Sequence, residues 1–243
     1  MRRPNAHIAI VLCALLVAFT LPALALAASG GGAIYSGGSA DVQPAGSQVS
    51  SSSDGISITV TDAVLLAHQL VFNGTAPSSD AGQTVTIERS GHETRWAWAV
   101  TAQASIRSDG SFTATWDTNH IGRFTIRAVL THPAGGTAAS AWPTVTVTVY
   151  RPSIATQYGP GFWGRRTACG EVLRRQTIGV ANRTLPCGTR VAIYYGGHTM
   201  VVPVIDRGPY ANGADWDLTE ATGRALGIAG TARIGAVSLP RSS

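Results

Sequence analysis

The hydrophobic and polar positions divide the chain into four stretches. The first is an apolar run from Ile8 to Leu21, preceded by Arg2 and Arg3 and followed by Ala25-Leu26-Ala27. A positive start, a short apolar run and a small-x-small end are the pattern of a cleaved export signal, expected over residues 1–27. A membrane anchor is the rival, but the run falls short of the roughly 20 residues that a span needs, and Pro22 interrupts it. Cys13 has no lipobox before it, so neither a lipid anchor nor a stable membrane span is expected after cleavage. Residues 28–54 are mostly Gly, Ser and Ala with no hydrophobic period, which predicts a flexible tether.

From 55 to 150 apolar and polar residues alternate. Ile56, Ile58 and Val60 begin the pattern, and it returns in Thr84–Ile87, Phe112–Trp116, Phe124–Val129 and Val145–Val149. Turn signals fall between: Asn73-Gly74, Asp80-Ala81-Gly82, Asp109-Gly110 and Gly135-Gly136. Short period-two segments separated by Gly-containing turns predict an antiparallel β-sandwich. The Cys and Trp framework of antibody domains is absent, so the sandwich resembles only the loose bacterial immunoglobulin-like class. Trp96 and Trp98 fall on one face of a strand, either in the sandwich core or as a sugar-stacking platform.

Residues 151–243 form the last stretch, opened by Arg151-Pro152-Ser153, where Pro152 is expected to interrupt a ladder. Val191–Tyr195 and Thr199–Ile205 read as a hairpin through Gly196-Gly197-His198. One helix is predicted over Leu218–Leu226, capped by Thr219 with Thr222 or by Asp217 with Glu220, and ended by Gly227. The class is therefore mainly β.

Composition agrees. Hydrophobic residues make up 44% and charged residues 13%, too apolar for a disordered chain, and long runs of helix formers are missing. All 18 basic residues are Arg, and the net charge is +5. The last stretch holds 11 Arg against five acids, whereas the sandwich, counted with Asp54, holds five Arg against seven. A basic exported domain seeks an anionic partner. Export makes nucleic acid a poor candidate and anionic cell-wall polymer a good one, placing the protein in the bacterial cell envelope or outside the cell. Removal of the signal leaves Cys169 and Cys187. An oxidising compartment favours a disulfide over free thiols, a nucleophile or a metal site, and with His198 as the stretch's one histidine no metal or other cofactor is implied.

Among the acids, Asp206 stands out. It follows the apolar strand Val201–Ile205 and precedes Arg207-Gly208-Pro209-Tyr210. A carboxyl there is a desolvated general acid or an Asp that hydrogen-bonds a turn.

At these residues a resemblance enters. The segment from Tyr158 through Trp163 to Cys169-Gly170-Glu171, then Thr184–Thr189, then Val204–Tyr210 with Trp216–Thr219, is similar to the three ordered motifs of the rare lipoprotein A family. The resemblance covers about 156–237 and implies a six-stranded double-psi β-barrel, as in expansins. It also implies a peptidoglycan lytic transglycosylase, a lyase that cleaves MurNAc–GlcNAc bonds to 1,6-anhydro products. Asp206 would be the single general acid/base. Asp217 would be a second acid or would orient the loop, and Glu171 would assist. Tyr158, Trp163 and Tyr210 would line the glycan groove or simply pack, with Arg207 beside them. The family often has His where this chain has Asn182, which cannot shuttle a proton but can hydrogen-bond a sugar. The cysteines fit a disulfide-bearing subgroup. No glycan-binding repeat follows Leu239, so the sandwich is expected to target the wall. The rival readings are a non-catalytic, expansin-like wall-binding or loosening module and a scaffold for division-site or wall proteins.

Overall fold

The computed structural model describes residues 41–130, 141–210 and 213–240. The expected export signal, the tether as far as residue 40 and the Gly135-Gly136 turn lie outside them. In chain order the strands are β1 (Val42–Pro44), β2 (Gln48–Ser53), β3 (Ile56–Thr61), β4 (Ala63–Leu65), β5 (Gln69–Thr75), β6 (Thr84–Gly91), β7 (Ala99–Ser105) and β8 (Ser111–Asp117). There follow β9 (Gly122–Leu130), β10 (Thr144–Tyr158), β11 (Val180–Ala181), β12 (Arg190–Tyr195), β13 (His198–Asp206), β14 (Trp216–Thr219), helix α1 (Glu220–Ala225) and β15 (Ala232–Ser238).

The alternation of the first half becomes two facing sheets, ordered β2-β3-β5-β8 and β4-β10-β9-β6-β7. Period-two patterning sends every second side chain inward, as the alternately buried residues of β8 show. Ile58, Val60, Phe72, Phe112 and Trp116 of the first sheet meet Val85, Ile87, Phe124, Ile126 and Val147 of the second. This core forms the sandwich.

Three expectations are corrected here. Residues 41–53 do not belong to a tether: β1 pairs with β13, and β2 pairs with β3 from Gln48↔Thr61 to Ser53↔Ile56. The partners are distant in sequence, so local composition carries no signal for them. Pro152 does not break the chain into regions either. β10 runs straight through it, with Pro152 opposite Gly235 of β15. On the other edge of β10, pairing with β4 ends at Tyr150 and pairing with β14 begins at Ala155, so the missing N–H lies where no ladder demands it. Finally, Leu218 is a strand residue. It aligns with Gln157 in a parallel pair, and the helix starts only at Glu220, capped by Thr219 Oγ1 on the Thr222 N–H.

The second half closes into a six-stranded mixed barrel in the order β10-β14-β11-β13-β12-β15 and back to β10. Pairs β10–β14 and β11–β13 are parallel and the others antiparallel. Val180, Val191, Ile193, Val202, Val204, Trp216, Leu218 and Ile234 fill its interior. A smaller apolar cluster around Tyr150, Ala192, Val237 and Leu239 joins sandwich to barrel. In it the Tyr150 ring stacks on Tyr194 at 5.3 Å, and its hydroxyl bonds Thr199 at 3.0 Å.

Candidate active site

Strand β11 is two residues long, yet it organises the site. Its Ala181 is in register with Asp206 of β13 on one side and Asp217 of β14 on the other. The two acids therefore flank one residue, with Cα atoms two strand spacings, about 10 Å, apart. Simple alternation would not have done this. Val202 and Val204 point into the barrel, and by the same period Asp206 would follow them inward. A β-bulge intervenes: Val180 pairs with Val204, but Ala181 pairs with Asp206, so Ile205 is the extra residue. Bulges re-aim side chains in this way, and Asp206 is half-buried where Val202 and Val204 are fully buried.

The two carboxyls are held differently. Asp206 Oδ1 accepts the backbone N–H groups of Ala168 and Arg207, both at 2.8 Å. Oδ2 carries no protein hydrogen bond among the described residues. Half of the turn-binding reading for Asp206 is thus realised, and one oxygen remains for chemistry. Asp217 Oδ1 accepts the Thr156 hydroxyl at 2.8 Å. Burial pushes the Asp217 carboxyl above the usual aspartate range, the Thr156 hydroxyl works against that, and the Asp206 charge adds to it.

Tyr158 lies at the end of β10, level with Thr219. Its hydroxyl is buried without a hydrogen-bond partner. Burial raises its pKa far above that of an ordinary tyrosine, and the charges of Asp206, Asp217 and Glu171 add to the effect. The Glu171 carboxyl is exposed, and its backbone oxygen accepts the Thr167 N–H at 2.7 Å.

Other candidates divide between groove and support. Tyr210 is 79% exposed and Phe162 51% exposed, with the Phe162 ring edge-on to Tyr158 at 6.2 Å. Trp163 is half-buried, with Arg175 lying over its ring at 4.4 Å. Arg207 does not pair with the Asp206 carboxylate. Its guanidinium reaches the carbonyl oxygens of Asn182 and Asp206 at 3.4 and 3.3 Å and Cys187 Sγ at 3.4 Å. The Asn182 side-chain oxygen accepts the N–H groups of Thr184 and Leu185, so it shapes its own loop and leaves only its NH₂ for a sugar.

Cys169 and Cys187 form a disulfide with Cα atoms 5.7 Å apart. It ties the Ala168 loop that binds Asp206 to the loop begun by Asn182. Two supporting residues escaped the sequence reading. Thr156 looked like one more strand threonine, and only the parallel pairing with β14 sets it against Asp217. Arg183 donates to the carbonyl oxygens of Pro209, at 2.5 Å, and Ala214, bracing the segment after Asp206. Its place beside Asn182 was the one available signal.

A closed mixed barrel of six strands with two parallel pairs, here with two acids on the strands flanking β11, is the architecture of a double-psi β-barrel. Residues 154–238 match the family model described as lytic transglycolase. Curated relatives agree over the same segment. The "Probable endolytic peptidoglycan transglycosylase RlpA" of Synechocystis is 45% identical over 85 residues, covering 34% of this chain and 26% of that protein. The protein of the same description from Aquifex aeolicus is 37% identical over 81 residues, covering 32% and 36%. The "Endolytic peptidoglycan transglycosylase RlpA" of Campylobacter jejuni is 38% identical over 69 residues, covering 28% and 25%. The chain thus spans about a quarter to a third of the length of these relatives. Among solved structures, Streptomyces papain inhibitor matches at 24% identity and a TM-score of 0.30, over 37% of this chain and 93% of that one.

Proposed function

We propose that the protein is a peptidoglycan lytic transglycosylase acting in the cell envelope or outside the cell, and that Asp206 carries the proton transfers. The observation behind this reading is the acid pair: Asp206 and Asp217 flank Ala181 on the strands either side of it, one pinned by backbone N–H groups and the other desolvated. Asp206 Oδ2 gives a proton to the glycosidic oxygen as the bond from muramic C1 breaks. The sugar's own C6 oxygen then bonds C1, and its hydroxyl proton returns to Asp206. No water is consumed, and carboxyl and sugar both end balanced. Because the nucleophile is intramolecular, one proton-transferring carboxyl suffices, where glycoside hydrolysis uses two.

Asp217 keeps a proton to higher pH than an ordinary aspartic acid, because burial disfavours its charged form. The neutral Tyr158 hydroxyl offers a hydrogen-bond donor that burial has left unused. Tyr210 and Phe162 present aromatic faces on which sugar rings stack.

The test is Asp206→Asn in the full chain, supplied with purified glycan strands. The amide retains shape and accepts the same backbone N–H groups, so folding should hold while 1,6-anhydro product forms about 10²–10⁴-fold more slowly. A folded variant that works at the wild-type rate overturns the role of Asp206. A wild-type protein that binds glycan and releases no product at any pH replaces the reading with wall binding or loosening.

A further inference from the structure

The sandwich carries a surface that neither its own core nor the barrel chemistry explains. Trp96 and Trp98 fall outside any strand and outside the core, contrary to the simpler expectation, with 62% and 39% of their surfaces exposed. Burying an indole is among the largest single gains that folding offers, so two tryptophans held outward call for a reason.

The backbone holds them there at a cost. Arg95 and Trp96 both adopt positive φ, 53° and 65°, a region that bulky L-residues rarely occupy. Such strain persists where surrounding bonds over-determine it, and here they do. The Trp96 N–H donates to Gly91 O at 2.8 Å, Ser90 Oγ donates to Trp96 O at 3.0 Å, and the Arg95 N–H donates to His92 O at 3.1 Å. Trp98 is fixed differently: the Arg127 guanidinium lies 4.0 Å from its ring centroid and is itself clamped by Glu88 at 2.6 Å. One ring face is backed by a neutralised cation, and 39% of the residue's surface stays exposed.

The surroundings say what would bind. Arg127, Thr125 and Arg123 alternate with buried Phe124 and Ile126, so they share the outer face of β9 with Trp98's clamp. Arg123 and Arg95 are exposed, and their side chains make no ion pair or hydrogen bond among the described residues. Flat indoles beside unpaired guanidinium groups suit a polymer of sugar rings that also bears carboxylates. Arg123 further lines a cavity of about 650 Å³ against Leu185, Pro186 and Thr189, in the loop begun by Asn182. The sheet face and a catalytic-groove loop thus meet along one surface.

We propose that Trp96 and Trp98 form a stacking platform for the glycan strand of peptidoglycan, with Arg95 and Arg123 meeting its carboxylates. The identity of the polymer rests on the transglycosylase reading of the barrel. Holding a second site on the same polymer raises the effective concentration of substrate at the groove without altering the chemistry there.

The test uses the full chain carrying Asp206→Asn, so that the matrix is not consumed, mixed with purified sacculi and pelleted. Adding Trp96→Ala and Trp98→Ala should weaken binding by about 30-fold, from about 40 Å² of apolar ring buried per tryptophan. Trp96→Phe with Trp98→Phe, which keeps two flat rings, should restore most of it. Should removal of Trp98 disturb folding, Trp96→Ala alone decides, since that ring makes no aromatic or cation contact among the described residues; about fivefold weaker binding is then expected. Binding unchanged in the Ala variants overturns the platform. So does a concentration-dependent dimer that the same substitutions abolish, since the patch would then serve a second copy. The two readings separate cleanly. Product formation by the wild type with Trp-independent binding sinks the platform alone, and Trp-dependent binding with no product sinks the transglycosylase reading alone.

Discussion

Gly179→Ala tests how Asp206 is aimed. Gly179 precedes β11, its N–H bonds Thr222 Oγ1 at 3.0 Å, and it lies against Ile205, the bulged residue before Asp206. A Cβ at 179 would fall 2.6 Å from both Cδ1 and Cγ1 of Ile205 and 2.9 Å from its Cγ2. Ordinary carbon contacts lie near 3.5–4.0 Å, so a displacement of about 1 Å is required. Turning χ2 moves Cδ1 but leaves Cγ1 and Cγ2 in place, and Ile205 is only 1% exposed, so the bulge itself must shift. Overpacking of this kind costs about 1–3 kcal/mol, against a gain of about 0.4–1 kcal/mol from a stiffer unfolded chain. A displacement of about 1 Å at a catalytic group lowers the rate by about 10²-fold. The assay is a double-mutant cycle with Ile205→Ala, which removes all three clashing carbons, read by urea unfolding and by anhydro-product formation. Gly179→Ala should be costly in the wild-type background and nearly neutral in Ile205→Ala. Equal costs in both backgrounds would show that the clash does not act through Ile205, and the account of the bulge would fail.

Asp217→Asn should alter stability in a pH-dependent way. The folded-state pKa of Asp217 lies above its unfolded value, so its contribution is fully present at low pH and is lost as pH rises through the folded pKa. The amide keeps the Thr156 bond and never ionises, so the variant should match wild type in acid and exceed it in melting temperature at neutral pH; a constant difference across pH contradicts the desolvation. Reducing the Cys169–Cys187 bond, which closes a separation of 18 residues, should cost about 3 kcal/mol of unfolding free energy. Non-reducing mass mapping that finds two free thiols would remove the bond from the account.

Much of this was legible along the chain because it rests on local pattern. Alternation over Phe112–Trp116 and Phe124–Val129 marks strands with one buried face, since a side-chain period of two is a property of extended backbone itself. The β12–β13 hairpin followed from Gly196-Gly197, and the Thr219 cap from its spacing to Thr222. The ordered motifs around Tyr158, Cys187 and Asp206 were enough to name the barrel. Other features depended on partners far away in the sequence. Residues 42–53 looked structureless because β1 and β2 are made strands by β13 and β3. Pro152 reads as a break unless the ladder on each edge of β10 is known. Thr156 gains a role only when β14 comes alongside. The direction of Asp206 is the sharpest case. Sequence places a carboxyl at the end of an apolar strand, and alternation then points it into the barrel. Closing the barrel around the two-residue β11 inserts Ile205 as a bulge and breaks that alternation at Asp206. Residue identity supplied the acid, and long-range pairing supplied its direction, because a bulge is a relation between two strands and is written in neither alone.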